Sequence, residues 1–239
     1  MSTPIGWISL VTFLLLRSPS PPPPSEDRSF QDKLNSPVER YDIRNVSLPK
    51  AVLDLAYQYK LPTAIHHVDR ALVQRPLSVA LRNVSLKRVI EAVVEQAPGY
   101  RVRFSARLVQ VSLPAAEEDS SNPLNTVIDD FDITNLPRQE AEIRLLGAFV
   151  SKVSPGAGYG GDTAYGPEPP VILTLHLKRA KVYEILDAIV ASDGSSIWLS
   201  PPSTRSPAAV GAHSQPWVIY DLRPTTEAIA LDRLDQVLH

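Results

Sequence analysis

The chain contains no cysteine among its 239 residues. Disulfides, thiolate nucleophiles, thiolate zinc sites and iron–sulfur clusters are therefore excluded, as is a lipid on an N-terminal cysteine. The compartment stays open, because exported bacterial proteins often lack cysteine. An excess of one charge is missing too. Lys and Arg number 24, Asp and Glu 26, and the net charge is −2. No strong field for nucleic acid is expected from that balance. Histidine is scarce, with five residues and no zinc-type spacing among them. Long apolar runs are absent. The run at 5–16 has twelve residues, short of the ~20 that a membrane helix needs. Its length fits the core of a secretory signal peptide, although no Lys or Arg precedes it and Pro21 follows Ser18 and Ser20. The expectation is an exported, periplasmic protein with no stable transmembrane span after signal removal. Residues 1–32 are expected to be a signal-like, proline-rich and disordered N-terminus.

What the chain does have is a repeat. Residues 79–94 read VALRNVSLKRVIEAVV, and residues 175–190 read LHLKRAKVYEILDAIV. They align without a gap at a separation of 96. Val79, Leu81, Val84, Leu86, Val89, Ile90, Val93 and Val94 fall on Leu175, Leu177, Ala180, Val182, Ile185, Leu186, Ile189 and Val190. Apolar residues first alternate, as in a strand, and then recur at helical spacing. Each copy is therefore a strand followed by an amphipathic helix. The repeat extends upstream at an offset of 90, where Tyr41, Ile43, Val46, Ala51, Leu55 and Tyr59 match Phe131, Ile133, Leu136, Ala141, Leu145 and Phe149. Pro49 and Pro137 mark helix starts, where a missing N–H costs nothing. Gly99 and Gly194 follow the second helix of each copy, as C-terminal caps do.

This pattern predicts an α+β chain of two homologous small modules, each with two helices packed on one face of a small mixed β-sheet. The first spans 41–113 and has a middle strand near 63–68. Residues 114–130 form a polar linker. The second, divergent module spans 131–222 and carries a Gly-rich loop (154–170) and a Pro-rich loop (201–216). Residues 223–239 form a C-terminal helix. Modules this small bury little apolar surface alone, so they are expected to pack against each other or against a partner.

The segments YDIRNVSLPKAVLDLA and RPLSVALRNVSLKRVIEAVVEQAPGYRVRFSARLVQVSL carry a resemblance. Their strand–helix–strand–strand–helix–strand–strand order resembles the secretin and TonB short N-terminal domain, well over 41–113 and less well over 131–222. The resemblance implies a periplasmic interaction module, without catalytic residues, of the kind found in outer-membrane secretin pores and signal-transducing transporters. The chain has no segment for a membrane β-barrel, so the modules look freestanding.

Candidate chemistry is sparse. His66 and His67 are adjacent on a predicted strand, so they point to opposite faces and do not share a metal. His176 takes an outward strand position, and His213 lies in a loop. Asp129, Asp130 and Asp132 form an acidic edge without the glycine and distal glutamate of a calcium loop. Glu117, Glu118 and Asp119 read as linker. The Gly156–Asp162 stretch lacks the strand and helix that frame a phosphate cradle. Asn45-Val46-Ser47 and Asn83-Val84-Ser85 match a glycosylation pattern but read as helix-cap chemistry, with Ser47 and Ser85 as N-caps. No catalytic, cofactor-binding or metal-binding residue emerges, and no enzyme is expected.

The partner-binding candidates are Trp198, Trp217 and Ile219. Aligning Gly99 with Gly194 places Trp198 on Arg103, an outward position, and an exposed aromatic face marks an interface. Either a helix at 225–238 folds back over it or a protein partner covers it; a shifted strand phase would instead place the tryptophans in the core. The function expected is non-catalytic protein–protein interaction in the bacterial cell envelope, as an accessory of a secretin-like or TonB-linked complex. The alternative is a small-ligand binder or enzyme that uses the Gly-rich loop as a lid.

Overall fold

The computed structural model describes residues 26–155, 170–200 and 216–222. The N-terminal apolar run, the Gly-rich loop, most of the Pro-rich loop and the expected C-terminal helix lie outside these residues.

The described residues begin with helix α1 (Glu26–Asn35), which packs on the first module. This corrects the expectation of disorder up to residue 32. Phe30 and Leu34 bury their side chains in the first core, and the Ser36 carbonyl accepts the N–H of Leu86 at 3.0 Å. The first module continues with β1 (Pro37–Val46), α2 (Leu48–Tyr59), β2 (Thr63–Ile65), the short α3 (Arg70–Val73), β3 (Leu77–Ser85), α4 (Leu86–Glu95), β4 (Arg101–Phe104) and β5 (Val109–Ser112). A connector follows, α5 (Pro114–Glu118) and a 3-10 turn at Pro123–Asn125. The second module has β6 (Val127–Pro137), α6 (Arg138–Val153), β7 (Ile172–Lys181), α7 (Val182–Asp193), β8 (Ser196–Leu199) and β9 (Val218–Asp221). The α+β class follows directly from these elements.

The duplication is visible in backbone detail. Strands β1 and β3 pair antiparallel, as do β6 and β7. Arg40 faces Arg82 in one ribbon, and the equivalent Asp130 faces Lys178 in the other. The register shifts at the same place in both, between Ile43 and Val46 and between Ile133 and Leu136. A left-handed residue stands at each shift, Asn45 and Asn135, and Asn83 takes the same conformation within a continuous register. Asn45, Asn83 and Asn135 have φ of 55°, 52° and 53°. Asparagine tolerates this region better than most residues. The Asn45 N–H donates to the Ser78 hydroxyl at 3.3 Å, and the Asn135 N–H donates to the equivalent Thr174 hydroxyl at 3.1 Å. The asparagines of both N-x-S sequences are thus left-handed backbone positions, and Asn45 stands at a bulge. Ser85 also caps its helix, accepting from the Arg88 N–H at 3.3 Å, whereas the Ser47 side chain makes no cap bond.

Arg179, the counterpart of Asn83 in the second ribbon, also takes the left-handed region, at φ 48°. Arginine gains nothing from this conformation. Arg179→Asn, which restores the residue used at the other three sites, is expected to raise stability by roughly 0.5–1 kcal/mol. Denaturant titration of the full chain measures it, and an unchanged midpoint would remove strain from the account.

The strands are not divided as one mixed sheet per module. Among the described residues there are two two-stranded ribbons, β1-β3 and β6-β7, and one five-stranded sheet in the order β4-β5-β2-β8-β9. Strands from both modules therefore share a sheet. β2 pairs parallel with β5 on one side and with β8 of the second module on the other. Each face of this sheet carries a different core. Ile65, Val109, Val111, Ile197 and Leu199 join the core of α2 and α4. Ala64, Trp198 and Trp217 join the core of α6 and α7. The order of layers is ribbon, helices, shared sheet, helices, ribbon. A strand covered on both faces should be apolar throughout, and every residue of β2 and β8 is buried.

The helix faces match the sequence pattern. Val89, Ile90, Val93, Ile185, Leu186 and Ile189 are all buried. Gly194 caps α7 in the left-handed region at φ 69°. Helix α4 is capped by Gln96 instead, and Gly99 takes φ 87° in the turn that follows.

Candidate functional site

The alternation of strand side chains brings polar groups from both modules to one face of the shared sheet. Cross-strand register aligns Arg103, Gln110, Ala64, Trp198 and Ile219 in one row. Helix α7 lies over this face. It covers β2 and β8 with Tyr183 and Asp187. His66, one residue past β2, enters the same space and is 3% exposed.

Asp187 is the acceptor of the cluster. Its Oδ1 contacts His66 Nε2 at 3.0 Å and accepts the Trp198 Nε1–H at 2.8 Å. Its Oδ2 accepts from the Gln110 side-chain amide at 2.6 Å. The His66 ring stacks on Trp198, with centroids 4.9 Å apart and an interplanar angle of 27°, and meets Tyr183 at 5.0 Å. Its other nitrogen, Nδ1, is 3.6 Å from Glu117 Oε1. That distance is an ion-pair contact and too long for a hydrogen bond. Glu117 also takes an Arg103 N–H at 2.7 Å, and its backbone carbonyl accepts from Lys181 Nζ at 3.1 Å.

These contacts set the protonation of the site. Burial favours the neutral imidazole, but the carboxylates of Asp187 and then Glu117 outweigh it, and His66 is pushed up to about 9. The contact with His66 is the largest influence on Glu117. Partial burial opposes it, the Ser112 hydroxyl and Arg103 reinforce it, and the carboxyl is held down to about 2. At neutral pH the site is an imidazolium between two carboxylates. A narrow cleft opens beside it, lined by His66, His67, Leu113, Glu117, Asn122, Asn125 and Tyr183.

The acidic connector is therefore not a solvated linker. Ala116 and Leu124 are buried. The Asn122 and Asn125 amides donate to the Ala116 carbonyl at 3.1 and 2.9 Å. Together these hold α5 in place and aim Glu117 at His66.

The tryptophan face is also corrected. Trp198 and Trp217 are 0% and 1% exposed, and Ile219 is partly buried against the same core. The expected equivalence of Trp198 with the outward Arg103 is overturned: Arg103 points away from the helices of its own module, whereas Trp198 packs under α6 and α7 of its own, so the strand phase is shifted and the tryptophans stand in the core. The cover is α7 of the same module. These residues are internal and offer no surface to a partner.

A second buried ionic group lies within the second module. Arg138 binds Glu142 and stands 3.7 Å from Asp193. Asp193 accepts from the hydroxyls of Ser195 and Ser196. Burial pushes the Glu142 carboxyl up to about 7, against the opposing charge of Arg138. The exposed acidic edge is paired, with Asp129 on Lys152, Asp130 on Lys178 and Asp132 on the His176 ring. His213 and Gly156–Asp162 lie outside the described residues. Among the described residues no group of His, Asp and Glu is placed to hold a metal ion, and no helix is long and apolar enough to cross a membrane.

Sequence reasoning set His66 and His67 on opposite faces but gave no partner to the buried one, His66. Asp187 lies 121 residues away, and nothing local links the two. One signal was available: Asp187 interrupts the apolar face of α7, at the position where the first module has Glu91. Comparison with protein-family models, with curated proteins and with solved structures finds no match.

Proposed function

We propose that this chain is a non-catalytic protein–protein interaction module of the bacterial cell envelope, akin to the secretin and TonB short N-terminal domain and accessory to a secretin-like or TonB-linked complex. The single observation that carries this reading is the pair of two-stranded ribbons. Their strands are 10, 9, 11 and 10 residues long, and among the described residues each strand pairs on one side only. Natural proteins usually keep open edges short, because a free edge recruits another strand. Edges of this length are suited to adding a partner strand by main-chain hydrogen bonding. The element order of residues 37–112, strand–helix–strand–strand–helix–strand–strand apart from the short α3, supports the family resemblance.

Photo-crosslinking in the native envelope tests the proposal. A photoreactive residue at Arg44 or Lys178, on the ribbons, is expected to capture one discrete envelope protein. The same residue at Arg88, on the exposed side of α4, is expected to capture much less. Equal capture at all three positions, or recovery of the chain only outside the envelope, would overturn the reading.

A further inference from the structure

The seam between the modules is held by few backbone bonds. β2 and β8 pair over three residues, Thr63 with Ile197, Ala64 with Trp198 and Ile65 with Leu199. Two further bonds join Val68 and Ile65 to Ser200, each at 3.2 Å. Onto this short ladder the chain adds a charged contact. His66 belongs to the first module. Its carboxylates come from elsewhere, Asp187 from α7 and Glu117 from the connector.

Each element packed around His66 contributes a group. Helix α7 contributes Asp187 and the Tyr183 ring, and α5 contributes Glu117. Strand β8 contributes Trp198, and β5 contributes the uncharged Gln110, which holds Asp187. Two cations stand at Glu117: Arg103 binds the carboxylate oxygen that also faces His66, and Lys181 binds the carbonyl and lies over the Tyr183 ring. Glu117 is held by Arg103 of the first module, so the contact that depends on docking is the one from Asp187 of α7.

We propose that His66 is a proton-operated clasp between the two modules: protonated, it binds Asp187 and Glu117 and holds α7 and β8 on the sheet of the first module, and loss of its proton loosens that seam while each ribbon and its helices keep their fold.

The direction follows from linkage. In the docked state His66 keeps its proton to about 9. With the seam open and Asp187 withdrawn, the imidazole falls back toward its ordinary value of about 6.5. Opening therefore releases a proton between these values, and the opening constant rises about tenfold per pH unit across that window. Below about 6.5 both states are charged and opening no longer depends on this group.

Hydrogen exchange of the full chain between pH 6 and 9, corrected for the intrinsic pH dependence of exchange, tests the clasp. Protection of the β2 and β8 amides is expected to fall about tenfold per pH unit above about 6.5, while the β1-β3 ribbon and α4 hold theirs. His66→Gln should flatten the seam's pH dependence and leave the ribbon protected. Seam protection that ignores pH overturns the proposal, and so does loss of ribbon and seam together. If His66→Gln does not fold, the wild-type profile and the NMR titration of the His66 ring decide: a midpoint near the ordinary value of about 6.5 overturns the clasp.

Discussion

Replacing Trp198 by alanine will lower the stability of the chain by about 3–5 kcal/mol. A domain is stabilised by only about 5–15 kcal/mol in total, so this variant will be close to unfolded at 37 °C. The indole is fully buried. It stands in the sheet that both modules share, with α7 above it and the His66 ring stacked on it. Alanine leaves a cavity at the seam and deprives Asp187 of the Nε1–H donor at 2.8 Å. Trp198→Phe separates the two effects. It keeps most of the volume and the ring contact and loses the N–H, at an expected cost of about 1–2 kcal/mol. Urea titration of both variants gives the comparison. A loss below about 1 kcal/mol for Trp198→Ala would mean that the ring is not packed between sheet and helix.

Trp198 also shows what the sequence makes legible. Periodicity alone places the strands and helices of both modules, because burial imposes a period of two on the strands and of about 3.6 on the helices. It gives β8 the opposite phase, with Ile197 and Leu199 read as facing the helices of their own module and Trp198 as facing out. Alternation separates the two faces of a strand, but it does not say which face its own helices cover when both faces are covered. Here β8 is added to the edge of β2, so the nominal inside of the strand faces the first core and the nominal outside faces the second. Ile197 and Trp198 are both internal for that reason. The connector was misread for a related cause. Glu117, Glu118 and Asp119 look like solvated linker by composition, yet Glu117 is fixed by His66 and Arg103, residues 51 and 14 positions away. Local pattern carries no information about partners at such separations. The left-handed bulges were missed in another way. RNVS recurs visibly, but a positive φ at asparagine leaves no mark on hydrophobic periodicity.

Asp187→Ala is expected to cost about 3–5 kcal/mol, because it removes one partner of a buried charge pair and strands the other. Three donors lose their acceptor together: the His66 ring, the Trp198 indole and the Gln110 amide. Asp187→Asn is the informative contrast. It keeps the volume and one acceptor oxygen but loses the charge that raises His66. Its cost should therefore depend on pH. His66 is pushed up to about 9 in the folded wild type, from about 6.5 unfolded. The stability this contributes is complete below about 6.5, declines as pH rises, and is gone above about 9. Asp187→Asn forfeits that contribution, so its deficit against wild type is expected to be large at pH 6, up to about 3 kcal/mol, and to shrink toward pH 9.5. Asp187→Ala keeps a deficit at pH 9.5, because the indole and amide donors remain unpaired whatever the charge on His66. Urea titrations of the three proteins at the two pH values separate charge from hydrogen bonding. An Asp187→Asn deficit equal at pH 6 and 9.5 would show that Asp187 serves the seam only as a hydrogen-bond acceptor.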